Sequence, residues 1–121
     1  MTNPFQDQER FMRACDQTVD VLNDGQFALY KTLIDEEVTE LMEAHDQEAE
    51  LDALIDILVV TVGAIHSMGA DGEGAWNEVM RTNFAKIDSA TGKVRKREDG
   101  KVLKPEGWKP PELSSFLKKG R

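Results

Sequence analysis

The chain has 121 residues and a formal net charge of −8. That is enough for one small domain with a thin core, for which assembly with further copies would help. The acidic balance argues against a nucleic acid polymer as partner, because no broad basic surface is available to neutralise a phosphodiester backbone. Cys15 is the only cysteine, so neither an internal disulfide nor a thiolate zinc site can form, and the residue reads as a small apolar helix position in a reducing, cytoplasmic compartment.

The N-terminal residues Met1 to Asp7 have no basic segment followed by an apolar run, so no signal peptide is expected. A first helix is predicted from about Gln6 to Leu22, with Phe11, Ala14, Cys15, Thr18 and Leu22 on one face. Asn23-Asp24-Gly25 breaks it. A second helix follows from about Gln26 to Asp46, with Phe27, Tyr30, Ile34, Val38, Leu41 and His45 at helical spacing. The third runs from about Glu48 to Met68 and stops at Gly69, a C-capping glycine. The fourth begins near Asp71 to Glu73 and continues to about Ile87, with Ala75, Val79, Met80 and Phe84 inward. His45 and His66 both fall on apolar faces and read as core or interface histidines rather than metal ligands.

The helical core thus covers about 6–87 of a single domain spanning 1–121, and a basic, Gly/Pro-rich tail covers 88–121. Asp99-Gly100 is a strong hairpin turn signal within 94–103. Pro105, Pro110 and Pro111 impose an extended path, and a short helix is expected from Glu112 to Lys118. The apolar stretch from Ala53 to Ile65 falls short of the ~20 residues needed to span a bilayer, so no membrane association is expected.

That same stretch contains Asp56. A helix apolar on nearly every side is a buried helix, and a buried carboxylate is costly unless it is paired or holds a metal. The neighbouring helices offer few inward basic residues for a buried ion pair, itself expensive. On the second helix, Glu37 and Glu40 are three residues apart and Glu36 and Glu40 four apart, so their side chains lie on adjacent turns and repel unless a cation sits between them. With Ile34 at the centre of the apolar stripe, Glu37 lies roughly 60° round, Glu40 roughly 120° and Glu36 roughly 160°. Asp52 is one turn before Asp56 and roughly 40° from it on the wheel. A brief link between the two helices makes them antiparallel neighbours, so the two acidic sets can face each other. An all-oxygen donor set suits Mg²⁺, with Mn²⁺ as a substitute, and magnesium shares its coordination with substrate phosphates.

Glu36-Glu37-x-x-Glu40, followed by Asp56 in an apolar helix ending at Gly69, resembles the all-α nucleotide pyrophosphohydrolases, which include MazG, the dimeric dUTPases and phosphoribosyl-ATP pyrophosphohydrolase. Asn83-x-x-Lys86 and the tail from Gly92-Lys93-Val94 through Lys104-Pro105-Glu106-Gly107-Trp108 to Pro111 resemble the small MazG-like members. The likeness covers roughly 6–113. One departure stands out: the second acidic motif in these proteins is Glu-x-x-Asp, and the position three before Asp56 is Ala53, a gap that Asp52 could fill.

The resemblance implies an all-α, four-helix MazG-like fold with a C-terminal extended or hairpin tail, assembled as a homodimer or homotetramer. It implies Glu37, Glu40 and Asp56 as Mg²⁺ ligands with Asp52 assisting, and Glu36 as the group that orients or deprotonates the attacking water. It implies a nucleoside triphosphate substrate, cleaved to a monophosphate and pyrophosphate. Asn83 and Lys86 are the leading substrate contacts, with Lys31, Arg81, Lys93, Gln17 and Trp108 as further candidates. Trp76 reads as a packing or subunit-contact residue. Two other readings stand beside this one: phosphoribosyl-ATP hydrolysis in histidine synthesis, and a non-catalytic helical assembly module.

Overall fold

The computed structural model describes residues 1–117. The chain is all-α, with four α-helices among the described residues: α1 (Pro4–Ala14), α2 (Asp24–Glu43), α3 (Gln47–Ser67) and α4 (Gly72–Phe84). Two short strands, β1 (Ile87–Asp88) and β2 (Lys93–Val94), and a 3₁₀ turn (Ser114–Phe116) follow. Among the described residues two compact units are present, one built from Met1–Gly72 with Phe116 and Leu117, the other from Glu73–Ser115. Among the described residues, no helix is long and apolar enough to cross a membrane.

In the first unit, side-chain caps set the helix starts. Asn3 accepts the Gln6 N–H at 2.9 Å with Pro4 behind it, Asn23 accepts from Gln26 at 3.0 Å, and Asp46 accepts from Ala49 at 2.7 Å. Each satisfies one of the amides a helix leaves without an internal partner. The Asn23 N–H donates to the Ser67 carbonyl at 2.8 Å, and Leu22 forms an antiparallel bridge with Met68. The start of α2 therefore lies against the end of α3, and the two helices form an antiparallel hairpin. Gly69 takes φ +74 beyond the end of α3, the left-handed conformation that glycine adopts without strain.

The core gathers Met12, Val19, Tyr30 and Ala64, with Phe27, Leu33, Ile34 and Val60 packed against them. Gly63 allows it: a Cβ there would lie 2.2 Å from Cε1 of Tyr30. Tyr30 in turn donates its hydroxyl to Gln17 Oε1 at 2.6 Å, and burial holds its pKa above the ordinary phenol value.

Several sequence expectations are corrected. α1 ends at Ala14 rather than near Leu22. Asp16 and Asp20 take positive φ values of 58 and 67, and Gln26 bonds both backbone groups of Thr18, so side-chain partners replace helical ones across this stretch. Met12 is fully buried while Phe11 is 61% exposed, so the inward stripe of α1 lies one position from the expected one. α4 ends at Phe84, three residues before Ile87, and Phe84 is exposed while Thr82 is buried. His45 is exposed. His66 is buried as expected, with Nε2–H donating to the Phe5 carbonyl at 2.8 Å.

The largest correction concerns α3. Its C-terminal half is buried at Val62, Gly63, Ala64, His66 and Ser67, but Leu54, Ile55 and Leu58 are each about half exposed. A helix that is apolar all round needs neighbours on all sides, and one chain supplies them for only part of its length. Asp56 is accordingly half-buried, not enclosed.

In the second unit, β1 and β2 form an antiparallel hairpin that sequence reading missed, with the Gly92 N–H donating to the Asp88 carbonyl at 2.8 Å. The turn at Asp99-Gly100 forms where expected: Lys96 bridges Val102, and the Arg97 N–H reaches the Lys101 carbonyl at 2.8 Å. The short helix expected over 112–118 is a 3₁₀ turn at Ser114–Phe116, and Lys118 lies outside the described residues.

Candidate metal centre

α2 carries Glu36, Glu37 and Glu40, and α3 carries Asp52 and Asp56. The antiparallel hairpin brings three of the five together: Glu37, Glu40 and Asp56 each offer one carboxylate oxygen, all within 4.8 Å of one another. Glu37 and Asp56 are half-buried and Glu40 is exposed. Glu36 and Asp52 are both exposed and stand outside this convergence. Asp52 also lines an open pocket of about 580 Å³ with Asp46, Glu48, Ala49, Leu51 and Ile55. Ala53 is almost wholly buried, so the position that carries Glu in the resembling proteins holds a packed methyl group.

Glu37 is the most constrained of the five. Its Oε2 is buried and has no hydrogen-bond partner among the described residues. Burial raises its pKa above the ordinary carboxylate value, and Glu40, Asp56 and Asp52 push it the same way. A buried acceptor without a donor is costly, and a carboxylate among carboxylates is costlier. A hard cation resolves both problems at once, and three converging oxygens with no nitrogen or sulfur donor are the ligand chemistry of Mg²⁺ or Mn²⁺. The residues present therefore fit a divalent ion.

The other candidate residues are spread over both units. Gln17 is engaged with the Tyr30 hydroxyl. Lys31 places its ammonium 5.0 Å from the Phe27 ring centroid. In the second unit, Asn83 and Lys86 meet, with Lys86 Nζ donating to Asn83 Oδ1 at 3.1 Å. Lys86 also lies over the Trp108 ring. Lys93 is exposed on β2. Arg81 is bound to Glu78 at 2.8 Å. The Arg81 hydrogen bond, joined by the Glu112 N–H, lowers the Glu78 pKa to about 2. Two residues that sequence reading passed over belong to this neighbourhood: Lys104, also over the Trp108 ring, and Thr82, whose carbonyl accepts the indole N–H at 2.7 Å. The signal for Lys104 was its place in the tail that resembles the small MazG-like proteins.

Comparison with curated proteins finds no match. The profile of one protein family, phosphoribosyl-ATP pyrophosphohydrolase, matches residues 9–83, which includes all five carboxylates. Proteins of this family are pyrophosphohydrolases, generally dependent on a divalent metal, that act on nucleotide substrates. The all-α fold, the convergent acidic oxygens and the extent of the match lead to one conclusion: the chain belongs to the phosphoribosyl-ATP pyrophosphohydrolase family, within the MazG-like all-α nucleotide pyrophosphohydrolase superfamily, and is a hydrolase of phosphoric anhydrides.

Proposed function

We propose that this chain is a Mg²⁺-dependent nucleoside triphosphate pyrophosphohydrolase, with Mn²⁺ able to substitute. The observation that carries the reading is the enclosed, unpartnered Oε2 of Glu37 beside Glu40 and Asp56. Glu37, Glu40 and Asp56 would hold the cation, with Asp52 adding charge from the next turn. When bound, the cation neutralises the negative charge that develops on the phosphate oxygens during cleavage. Glu36 is exposed to solvent and open to water. It takes a proton from the water as the water oxygen bonds to the α-phosphorus. The α–β anhydride bond breaks, and the electron pair leaves on pyrophosphate, giving a nucleoside monophosphate as the second product. Lys86, held by Asn83, is the leading phosphate contact.

A second reading, hydrolysis of phosphoribosyl-ATP, is favoured by the description of the matching family. The triphosphate reading rests on the region beyond the match, where Lys86 and the Lys104-to-Pro111 tail resemble the small MazG-like proteins. A panel of canonical and modified nucleoside triphosphates plus phosphoribosyl-ATP, assayed with Mg²⁺ for pyrophosphate release, separates the two. Turnover of at least one triphosphate is expected; turnover of phosphoribosyl-ATP alone would replace the first reading with the second. Glu36→Gln should lower kcat by about 10²- to 10⁴-fold, the usual worth of a positioned base.

We also propose that the chain works as a homodimer or homotetramer. The exposed apolar side chains of Leu51, Leu54, Ile55 and Leu58 on α3, with Met42 on α2, form the kind of surface that a monomer rarely leaves open. Sedimentation equilibrium should show a dimer or tetramer, and a stable monomer at micromolar concentration would refute it.

A further inference from the structure

Trp108 stands in the tail, where Gly107 takes φ +78 and the Trp108 N–H closes a turn onto the Pro105 carbonyl at 3.1 Å. That turn lays the indole on the last turn of α4. There its N–H fills the Thr82 carbonyl, one of the acceptors that a helix end leaves without an internal donor. Two ammonium groups then share the one ring: Lys86 Nζ lies 5.0 Å from its centroid and Lys104 Nζ 4.9 Å. Lys86 is further fixed by Asn83 Oδ1 at 3.1 Å. Among the described residues neither lysine forms an ion pair. Asp88, the acidic side chain that lines a pocket of about 260 Å³ with Lys86 and Arg95, has Oδ1 occupied by the Ala90 N–H at 2.8 Å.

With each Nζ no more than 5.0 Å from the centroid of one ring, the two ammonium groups lie within about 10 Å of one another, near enough for one polyphosphate chain to meet both. The ring attracts each cation through its π face and so limits how far the two side chains separate. We propose that Trp108 is a positioning residue, which holds Lys86 and Lys104 together as a two-cation cluster for the phosphate chain of the substrate. The inference rests on the reading of the chain as a pyrophosphohydrolase of phosphate-chain substrates, and it adds to that reading both Lys104 and the means by which Lys86 is held.

The test uses the full chain and inorganic pyrophosphate, titrated by calorimetry without divalent cation so that the acidic residues of α2 and α3 take no part. Saturable binding is expected, weakened about tenfold in Lys104→Met and in Trp108→Leu, the scale of one lost charge-assisted or cation–π contact. In steady-state assays Trp108→Leu should raise KM about tenfold with kcat little changed, the pattern of lost uniform binding. Trp108→Phe keeps a ring for the ammonium groups and loses only the N–H, so it should recover most of the wild-type KM. The proposal is overturned if Trp108→Phe is as impaired as Trp108→Leu, since the indole would then matter only through its bond to Thr82. It is also overturned if Lys104→Met, a surface change that leaves folding intact, binds pyrophosphate as the wild type does. Pyrophosphate binding with this variant pattern in a protein that hydrolyses no nucleotide would support the cluster while removing the proposed activity.

Discussion

Asp56→Asn is expected to lower pyrophosphate release by more than about 100-fold while leaving the helical content unchanged. Changes to groups that only orient a metal ligand cost about 10–100-fold, so loss of a ligand oxygen should exceed that range. Asn matches Asp in shape but is neutral, so the ligand charge is lost and one carboxylate oxygen becomes an amide NH₂, which donates and cannot hold a cation. The fold has little at stake in this exchange. α3 starts from its Asp46 cap, its packing is anchored by Gly63 against Tyr30, and Asp56 is only half-buried. Circular dichroism and steady-state kinetics on the same preparation test both halves. Asp52→Asn is the internal control: Asp52 is exposed and outside the 4.8 Å group, so its loss should be clearly milder. Normal turnover by Asp56→Asn would sink the assignment of this residue.

How far the sequence can be read depends on what each feature rests on. α2 and α3 are placed to within a few residues because their boundaries are local chemistry: Asn23 and Asp46 cap the starts, and Gly69 ends the second of them. α1 stops early for a reason that periodicity does not carry. The apolar pattern runs on past Ala14, but Asp16 turns into the left-handed region and Gln26, ten residues further along the chain, claims the backbone of Thr18. That the α2 and α3 carboxylates could face each other followed from wheel angles and a short link. Which of them is enclosed did not follow. Asp56 reads as the buried charge because its neighbours in sequence are apolar, yet the unpartnered buried oxygen belongs to Glu37, at the edge of its own stripe. Burial is a property of what packs across an element, and for the N-terminal half of α3 a single chain does not supply it.

Glu37→Gln is expected to remove activity and, in the same molecule, to leave the cation-free protein as stable as the wild type or more so. The folded chain raises the Glu37 pKa, through burial first and then through Glu40, Asp56 and Asp52. A carboxyl group with a raised folded-state pKa binds its proton more tightly folded than unfolded, so its contribution to stability is present at low pH and is lost as pH rises through the folded value. At neutral pH, without a cation, the ionised Glu37 therefore opposes folding. A bound divalent ion reverses this: at a free concentration 100 times Kd, linkage alone stabilises the fold by about 2.7 kcal/mol. Binding must displace any proton on Glu37, so the stabilisation should grow as pH rises from the acid range toward neutrality. Gln keeps the length of Glu and removes both the repulsion and the ligand charge. Thermal unfolding from pH 5 to pH 8, with and without Mg²⁺ and at fixed protomer concentration, should show a wild-type Tm gain with Mg²⁺ that increases with pH, and almost none in Glu37→Gln. A cation-free variant markedly less stable than the wild type would mean that the enclosed Oε2 is already satisfied within the protein, and the metal centre would have to be sought elsewhere.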